Sequence, residues 1–279
     1  MLRVILLVLI ILSSVNSSKT WANNFSEKQN NLFISPPEKT LKIGEKLEYS
    51  LEILGIPIGK IELNTLGIEK ISGHDCYHIT AVALPNSFFA KFYDIQYTVH
   101  TYMDKESLVT RRFEKIRRYQ DKTTKIEIDF NPEQGNVSSK IKGKAKSIKL
   151  SAERTSLEAK VPKSFKIVQG AQDIFSTLYY LRLKDIAENK DYSIDIYYDN
   201  ASWKFTFNIG KVQLKSIRKR GSFKVFEVLM NSELNRYVLG TKGMSVILSA
   251  DAKRIPLEFK FGTGLGTIKG KIKEIPKNE

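Results

Sequence analysis

His74-x-Cys76-x-His78 is the place in this chain where three metal-competent side chains crowd together. Residues two apart on a strand share a face, so two imidazoles and a thiol would point the same way, a ligand set suited to zinc or copper. Same-face neighbours on one strand are ~7 Å apart at the backbone and converge poorly on a single ion. His100 is the only other histidine. We therefore read the motif as a mixed polar face opposite buried Tyr77 and Ile79, and assign neither metal nor cofactor.

Nucleophilic catalysis finds little support. The chain has no Gly-x-Ser-x-Gly elbow, and nothing local recommends a Cys76–His pair. Gly262-Thr-Gly-Leu-Gly266 lacks the following helix and Lys-Ser/Thr of a phosphate loop and reads as a hairpin turn. Asp251 to Pro256 reads the same way, with Asp251 opening the turn and Pro256 starting a strand. Arg182 would pair with a charged group or lay its alkyl stem over a sheet.

The basic residues are the richer signal. Arg111, Arg112, Lys115, Arg117, Arg118, Lys122 and Lys125 face only Glu114 and Asp121 in the same stretch. Lys140, Lys142, Lys144 and Lys146 recur at strict two-residue spacing, as do Lys269, Lys271 and Lys273. On a strand each set forms a row ~7 Å apart that attracts phosphate or carboxylate groups. Lysine rows also protect sheet edges from aggregation. The candidate anion contacts are Lys140, Lys142, Lys144, Lys146, Arg117 and Arg118. They would form one positive surface if the strand Arg111–Arg118 lay beside the lysine row.

The elements that would position these residues are mostly strands. Leu47, Tyr49, Leu51 and Ile53 alternate against Lys46, Glu48, Ser50 and Glu52, the pattern of a half-buried antiparallel strand. Gly55 to Gly59 reads as a turn, Lys60–Leu66 as the returning strand and Ile71 to Asp75 as another turn. Further strands are expected at 76–84, 95–103, 108–119, 124–130, 136–151 and, less sharply, 156–161. Phe88, Phe89, Phe92 and Tyr93 form a helical turn or aromatic loop. Asp173 to Leu183 is the exception to the strand pattern: Ile174, Leu178 and Leu181 make an apolar stripe, widened by Phe175 and Tyr179, behind an Asp173 N-cap. This stripe, Leu178 included, should face the sheet. Strands then resume at 192–198, 203–209, 212–218, 223–230, 244–250, 257–261 and 266–275. The fold class is mainly β: a large curled antiparallel sheet, barrel-like or sandwich, with one packed amphipathic helix.

Several short pieces resemble one family. Gly44-Glu45-x-Leu47-x-Tyr49 is similar to its entry strand, and Gly55, Gly59 and Gly73-x-x-x-Tyr77 to its next landmarks. Asp173-x-x-Ser176-x-Leu178-Tyr179-x-x-Arg182 resembles its central helix, and Leu248-Ser-x-Asp251-x-x-Arg254-x-Pro256 its closing hairpin. Together, over about residues 41–273, they resemble domain-of-unknown-function family 3108, exported bacterial proteins. The resemblance implies an exported antiparallel β fold, no established activity and no catalytic residue to carry over.

The first 22 of the 279 residues read as a signal peptide: Arg3, an apolar run Val4–Leu12, then a polar stretch ending Thr20-Trp21-Ala22. That run is too short for a transmembrane helix, and no later stretch is long enough. Residues 23–40 read as a polar tail and 41–276 as one domain, with its helix near 173–184. A net charge of +15 favours anionic partners. In an exported chain these are envelope lipid or polysaccharide rather than nucleic acid, so the expected location is periplasmic or secreted. One cysteine rules out an internal disulfide. The leading expectation is a non-catalytic protein binding an apolar or anionic envelope component, such as lipid or lipopolysaccharide. The alternatives are an accessory subunit docking on an envelope complex, and a hydrolase with an unrecognised site. A cavity would favour ligand binding, and a solid core with an exposed apolar patch would favour docking.

Overall fold

The structure, a computed structural model, describes residues 33–92, 94–142, 163–198, 201–217, 221–232, 243–263 and 266–275. The strands are β1 (Lys46–Ile53), β2 (Ile56–Ile71), β3 (His74–Pro85), β4 (Ile95–Asp104), β5 (Thr110–Tyr119), β6 (Lys122–Asn131), β7 (Asn136–Lys142) and β8 (Lys163–Lys166) in the first half. The second half has β9 (Asp191–Tyr198), β10 (Ala201–Ile209), β11 (Gln213–Ile217), β12 (Gly221–Ser232), β13 (Met244–Ser249), β14 (Pro256–Thr263) and β15 (Gly266–Ile272). Among the described residues two helices interrupt them: a single turn, α1 (Ser87–Ala90), and α2 (Ile174–Leu183).

All fifteen strands belong to one antiparallel sheet, ordered β8-β7-β6-β5-β4-β3-β2-β1-β15-β14-β13-β12-β10-β9, with β11 paired to β12. That order is the chain order bent into a ring, because β1 pairs β15. The ends of the ring approach each other at Gln172, which follows β8. Gln172 N donates to Asp195 O and Tyr197 N donates to Gln172 O, both at 2.8 Å. Phe130, Val137, Ile167, Ala171 and Tyr197 pack beneath this seam.

The strand faces follow from alternation. Leu47, Tyr49, Leu51 and Ile53 point inward, while Glu48 and Glu52 point out to Lys273 and Lys271, each 2.6 Å away. The main core takes side chains from β1–β4 and from β9–β15 together, including Tyr49, Phe205, Phe207 and Phe226. The ring is therefore filled by opposing side chains, with charge on its outer wall. A barrel crossing a bilayer needs the reverse, an apolar outer band.

Two turns differ from the sequence reading. The turn expected over Gly55–Gly59 is only Leu54-Gly55, both left-handed (φ 51° and 80°), and β2 starts at once with Ile56. Such two-residue turns match the twist of paired strands, and Gly takes the second position without steric cost. Ser72-Gly73 repeats the device at the other end of β2. Strand β8 was not anticipated, and the strands expected over 143–151 and 156–161 lie outside the described residues.

Helix α2 crosses the end of the ring where β1 begins and β4 ends, and its orientation corrects the sequence reading. Its fully buried residues are Ser176, Thr177, Tyr179, Leu181 and Arg182, whereas Ile174, Phe175 and Leu178 are only half-buried. Tyr179 and Leu181 of the stripe are buried as expected, and because the barrel end offers Thr101, Thr110 and Glu45 as partners, the polar Ser176, Thr177 and Arg182 go in beside them. Hydrogen bonds and one ion pair there offset the desolvation that would otherwise exclude those groups. Leu178 still packs on both adjoining clusters from its edge position.

Candidate functional site

The helix end is a buried polar network. Asp173 caps α2, accepting from the amides of Phe175 (2.8 Å) and Ser176 (3.0 Å), while Ser176 Oγ accepts in return from Asp173 N. Asp173 also takes bonds from the hydroxyls of Thr101 (3.1 Å) and Thr110 (3.0 Å). Burial pushes its carboxyl above the usual range, against the pull of those donors. Arg182 forks onto Glu45 with both side chains buried, as the charged-group pairing expected of it. Arg254, fully buried, donates to the carbonyls of Leu181 and Lys184 at the helix C-terminus and to Ser35 at 3.2 Å. Cations are favoured at that end of a helix. Asp251 opens the turn before β14, accepting from Lys253 and Arg254 amides, both at 3.1 Å. Residues 35 and 38, in the segment read as a tail, bond to Ala250 and Ala252 of that turn. Most of these groups hold the helix, while Tyr179 Oη and Arg254 Nε are buried without a hydrogen-bond partner among the described residues.

On the outer wall the histidine motif divides. His74 lies half-exposed with Nδ1 3.1 Å from Asp104 and 3.2 Å from Arg111 Nη2. Cys76 is fully buried, and burial raises its thiol to about 11, which leaves it unreactive. His78 instead meets two residues that the motif did not include. Its Nδ1 is 2.5 Å from Glu69 Oε1 on β2, and its Nε2 is 2.8 Å from His100 Nδ1 on β4. Tyr102 stacks on the His78 ring at 4.5 Å. Among the described residues no three His, Cys, Asp or Glu side chains converge as a metal set. Glu69 and His100 share a face with His78 only through strand register, which local spacing does not reveal.

The basic residues are dispersed by the sheet. β6 lies between β5 and β7, so the single positive surface is not formed. Glu127 sits opposite Lys140, whose Nζ is 3.6 Å from Asp129. Lys142 stands opposite Lys125 in the β6–β7 ladder, and Lys144 and Lys146 lie outside the described residues. Arg117 and Arg118 alternate: Arg117 is half-buried on the inner face opposite Tyr97, and Arg118 is exposed on the outer one.

The end of the ring opposite α2 carries exposed apolar side chains. Leu54 (77% exposed) and Ile56 (57%) form the β1–β2 turn, and Phe88 (58%) and Phe92 (64%) stand on and after α1. Asn86 joins these turns, its amide Nδ2 donating to Pro57 O at 2.7 Å and its backbone N to Ile58 O at 3.0 Å. Phe88 and Phe92 meet at 5.6 Å. Gln120, in the β5–β6 turn, bonds to Asp94 O and extends the rim. Lys91, Arg118 and Lys122 are exposed around it, with Asp94 and Asp121. The sequence showed the phenylalanine cluster but not its juxtaposition with Leu54 and Ile56. Among the described residues a small cavity of about 130 Å³ lies at the other end, lined by Phe223, Asp251, Lys253 and Leu257 among others.

A curled, mostly antiparallel sheet with a helix across one end defines a β-barrel-like protein. The chain belongs to the DUF3108 family, described as proteins of unknown function, which it matches over residues 48–273. No curated protein matches it. It is similar to the crystal structure of a β-barrel-like protein of domain of unknown function DUF1849 from Brucella abortus, at 12% identity and a TM-score of 0.49. That match covers 82% of this chain and 95% of the other.

Proposed function

We propose that the protein is exported to the cell envelope and docks, without catalysis, on an anionic lipid surface through the rim opposite α2. The observation that carries this reading is that Leu54, Ile56, Phe88 and Phe92, all large, apolar and exposed, stand on turns at one end of the ring. Exposed apolar surface rimmed by polar groups marks an interaction site. Aromatic and aliphatic tips enter the headgroup boundary, and nearby basic residues add attraction to anionic lipid. Lys91, Arg118 and Lys122 supply that here. The filled core argues for a surface contact over an enclosed ligand. Export, to the periplasm or beyond, rests on reading residues 1–22 as a signal peptide. Mature protein beginning near Asn23 supports it, and an intact Met1 on envelope-fraction protein overturns it.

The test is sedimentation of residues 23–279 with phosphatidylglycerol or phosphatidylcholine vesicles. The protein is expected to pellet with the anionic vesicles and to be released by salt. Leu54→Ser, Phe88→Ser and Phe92→Ser combined should abolish pelleting with an unchanged circular dichroism spectrum. Equal pelleting of this variant, or none by wild type, overturns the reading; capture of one envelope protein through the same rim would then favour an accessory subunit. A second arm replaces Lys140, Lys142, Lys144 and Lys146 by Gln, and Arg117 and Arg118 separately, to test their anion contact.

A further inference from the structure

We propose that Glu69, His78 and His100 form a proton-operated latch on the outer wall, fastening β2, β3 and β4 until a second proton enters the histidine pair. The protons are assigned by the partners. A carboxylate only accepts, so His78 Nδ1 carries a hydrogen toward Glu69. With both rings neutral, His78 Nε2 holds a lone pair and His100 Nδ1 donates across the 2.8 Å contact. With one added proton, taken at His100 Nε2 while the His100 Nδ1 hydrogen passes to His78 Nε2, His78 is an imidazolium that donates to Glu69 and to His100 alike, and the line survives. With two, Nε2–H faces Nδ1–H and both rings are cationic. Like charges at that distance repel and the hydrogen bond has no acceptor, so the line breaks.

The surroundings admit the first proton and oppose the second. Glu69 on β2 and Glu114 on β5, the latter directly opposite His100, are acidic. Lys125 on β6 holds Glu114 at 2.8 Å and Glu127 at 3.4 Å and stands against further positive charge, as does Arg112 beside Tyr102. Farther along β3, His74 is occupied by Asp104 and Arg111. Burial, followed by the His78 neighbour, holds His100 below the ordinary histidine value.

The latch lies at an irregular point of the sheet. The β2–β3 register shifts between Thr65 and Gly67, and Gly67 stands opposite His78. A bulge leaves backbone pairing locally incomplete. The Glu69–His78 link bridges the same two strands beside it, so losing the link exposes the weakest part of that ladder.

The experiment is a histidine-ring NMR titration of the mature protein between pH 4.5 and 8.5, combined with amide exchange. Wild type should show coupled, two-step titration of His78 and His100. His100→Gln should leave a single titration step in place of the coupled two. Amides around Gly67 and His78 should lose protection at the acid end of the titration relative to pH 7.5, once the intrinsic rate is corrected. That loss should be at least halved in His100→Gln. Glu69→Gln, at a half-exposed position, should lower amide protection around Gly67 and His78 already at pH 7.5. Independent single-step titrations unaffected by either substitution, or protection that ignores pH, would overturn the latch.

Discussion

Arg182 on α2 grips Glu45 at the entry to β1 through two bonds, Nη1–Oε2 at 2.6 Å and Nη2–Oε1 at 2.8 Å, across 137 residues of chain. The guanidinium also lies 5.2 Å from the Tyr179 ring centroid. Both charged side chains are nearly inaccessible, so removing one leaves the other buried and unpaired. Arg182→Ala or Glu45→Ala should each cost about 3–5 kcal/mol, read from urea unfolding midpoints. The double change Arg182→Met with Glu45→Leu should recover most of that loss, because well-packed apolar groups replace buried ion pairs with little penalty.

Asp173 does more than cap a helix. Asp173→Ala would also strand the Thr101 hydroxyl and take one bond from Thr110, which keeps Ser176 and Gln172, so its cost should exceed an ordinary cap loss and reach about 2–4 kcal/mol. The folded state holds the Asp173 proton more tightly than the unfolded chain does. This group therefore favours folding at low pH, and its contribution falls as pH rises through the unfolded carboxyl value, about 3.9. Asp173→Asn, still an acceptor for Phe175 and Ser176, should cost less than Ala and remove that slope, measured by unfolding at pH 3.5 and 7.

Helix packing makes Leu181 the costly leucine. Leu181 is 1% exposed in the main core, whereas Leu178 is half-buried. Leu181→Ala should lose about 2–5 kcal/mol. Leu178→Ala should lose about 1–2, in proportion to its smaller buried area. Equal midpoints for the two variants would contradict the observed helix orientation.

Acid should weaken the fold through His100. Its folded-state value is lowered, so the unfolded chain binds the proton more readily and stability falls as pH drops through the unfolded value, about 6.5. Urea midpoints should be flat above about pH 7.5 and decline below 6.5. His100→Gln should flatten that decline.

Most strands are legible in the sequence, because inward and outward residues alternate wherever one face is buried, as at Leu47 to Ile53; β8 is not among them. The sequence by itself also located the helix, its Asp173 cap and the turns at Ser72-Gly73 and Asp251, whose chemistry is local. It did not determine which face of α2 goes in. An apolar stripe predicts a buried Leu178, yet Thr110 and Glu45, distant in sequence, offered the polar side its partners. The arrangement of the basic residues follows from strand order, because β6 brings Glu127 and Asp129 between β5 and β7. The same holds for Glu69, His78 and His100, and for the rim of Leu54, Ile56, Phe88 and Phe92. Each set is assembled by cross-strand register and by which hairpins end at the same side of the ring, and both are properties of pairing between segments rather than of any one segment.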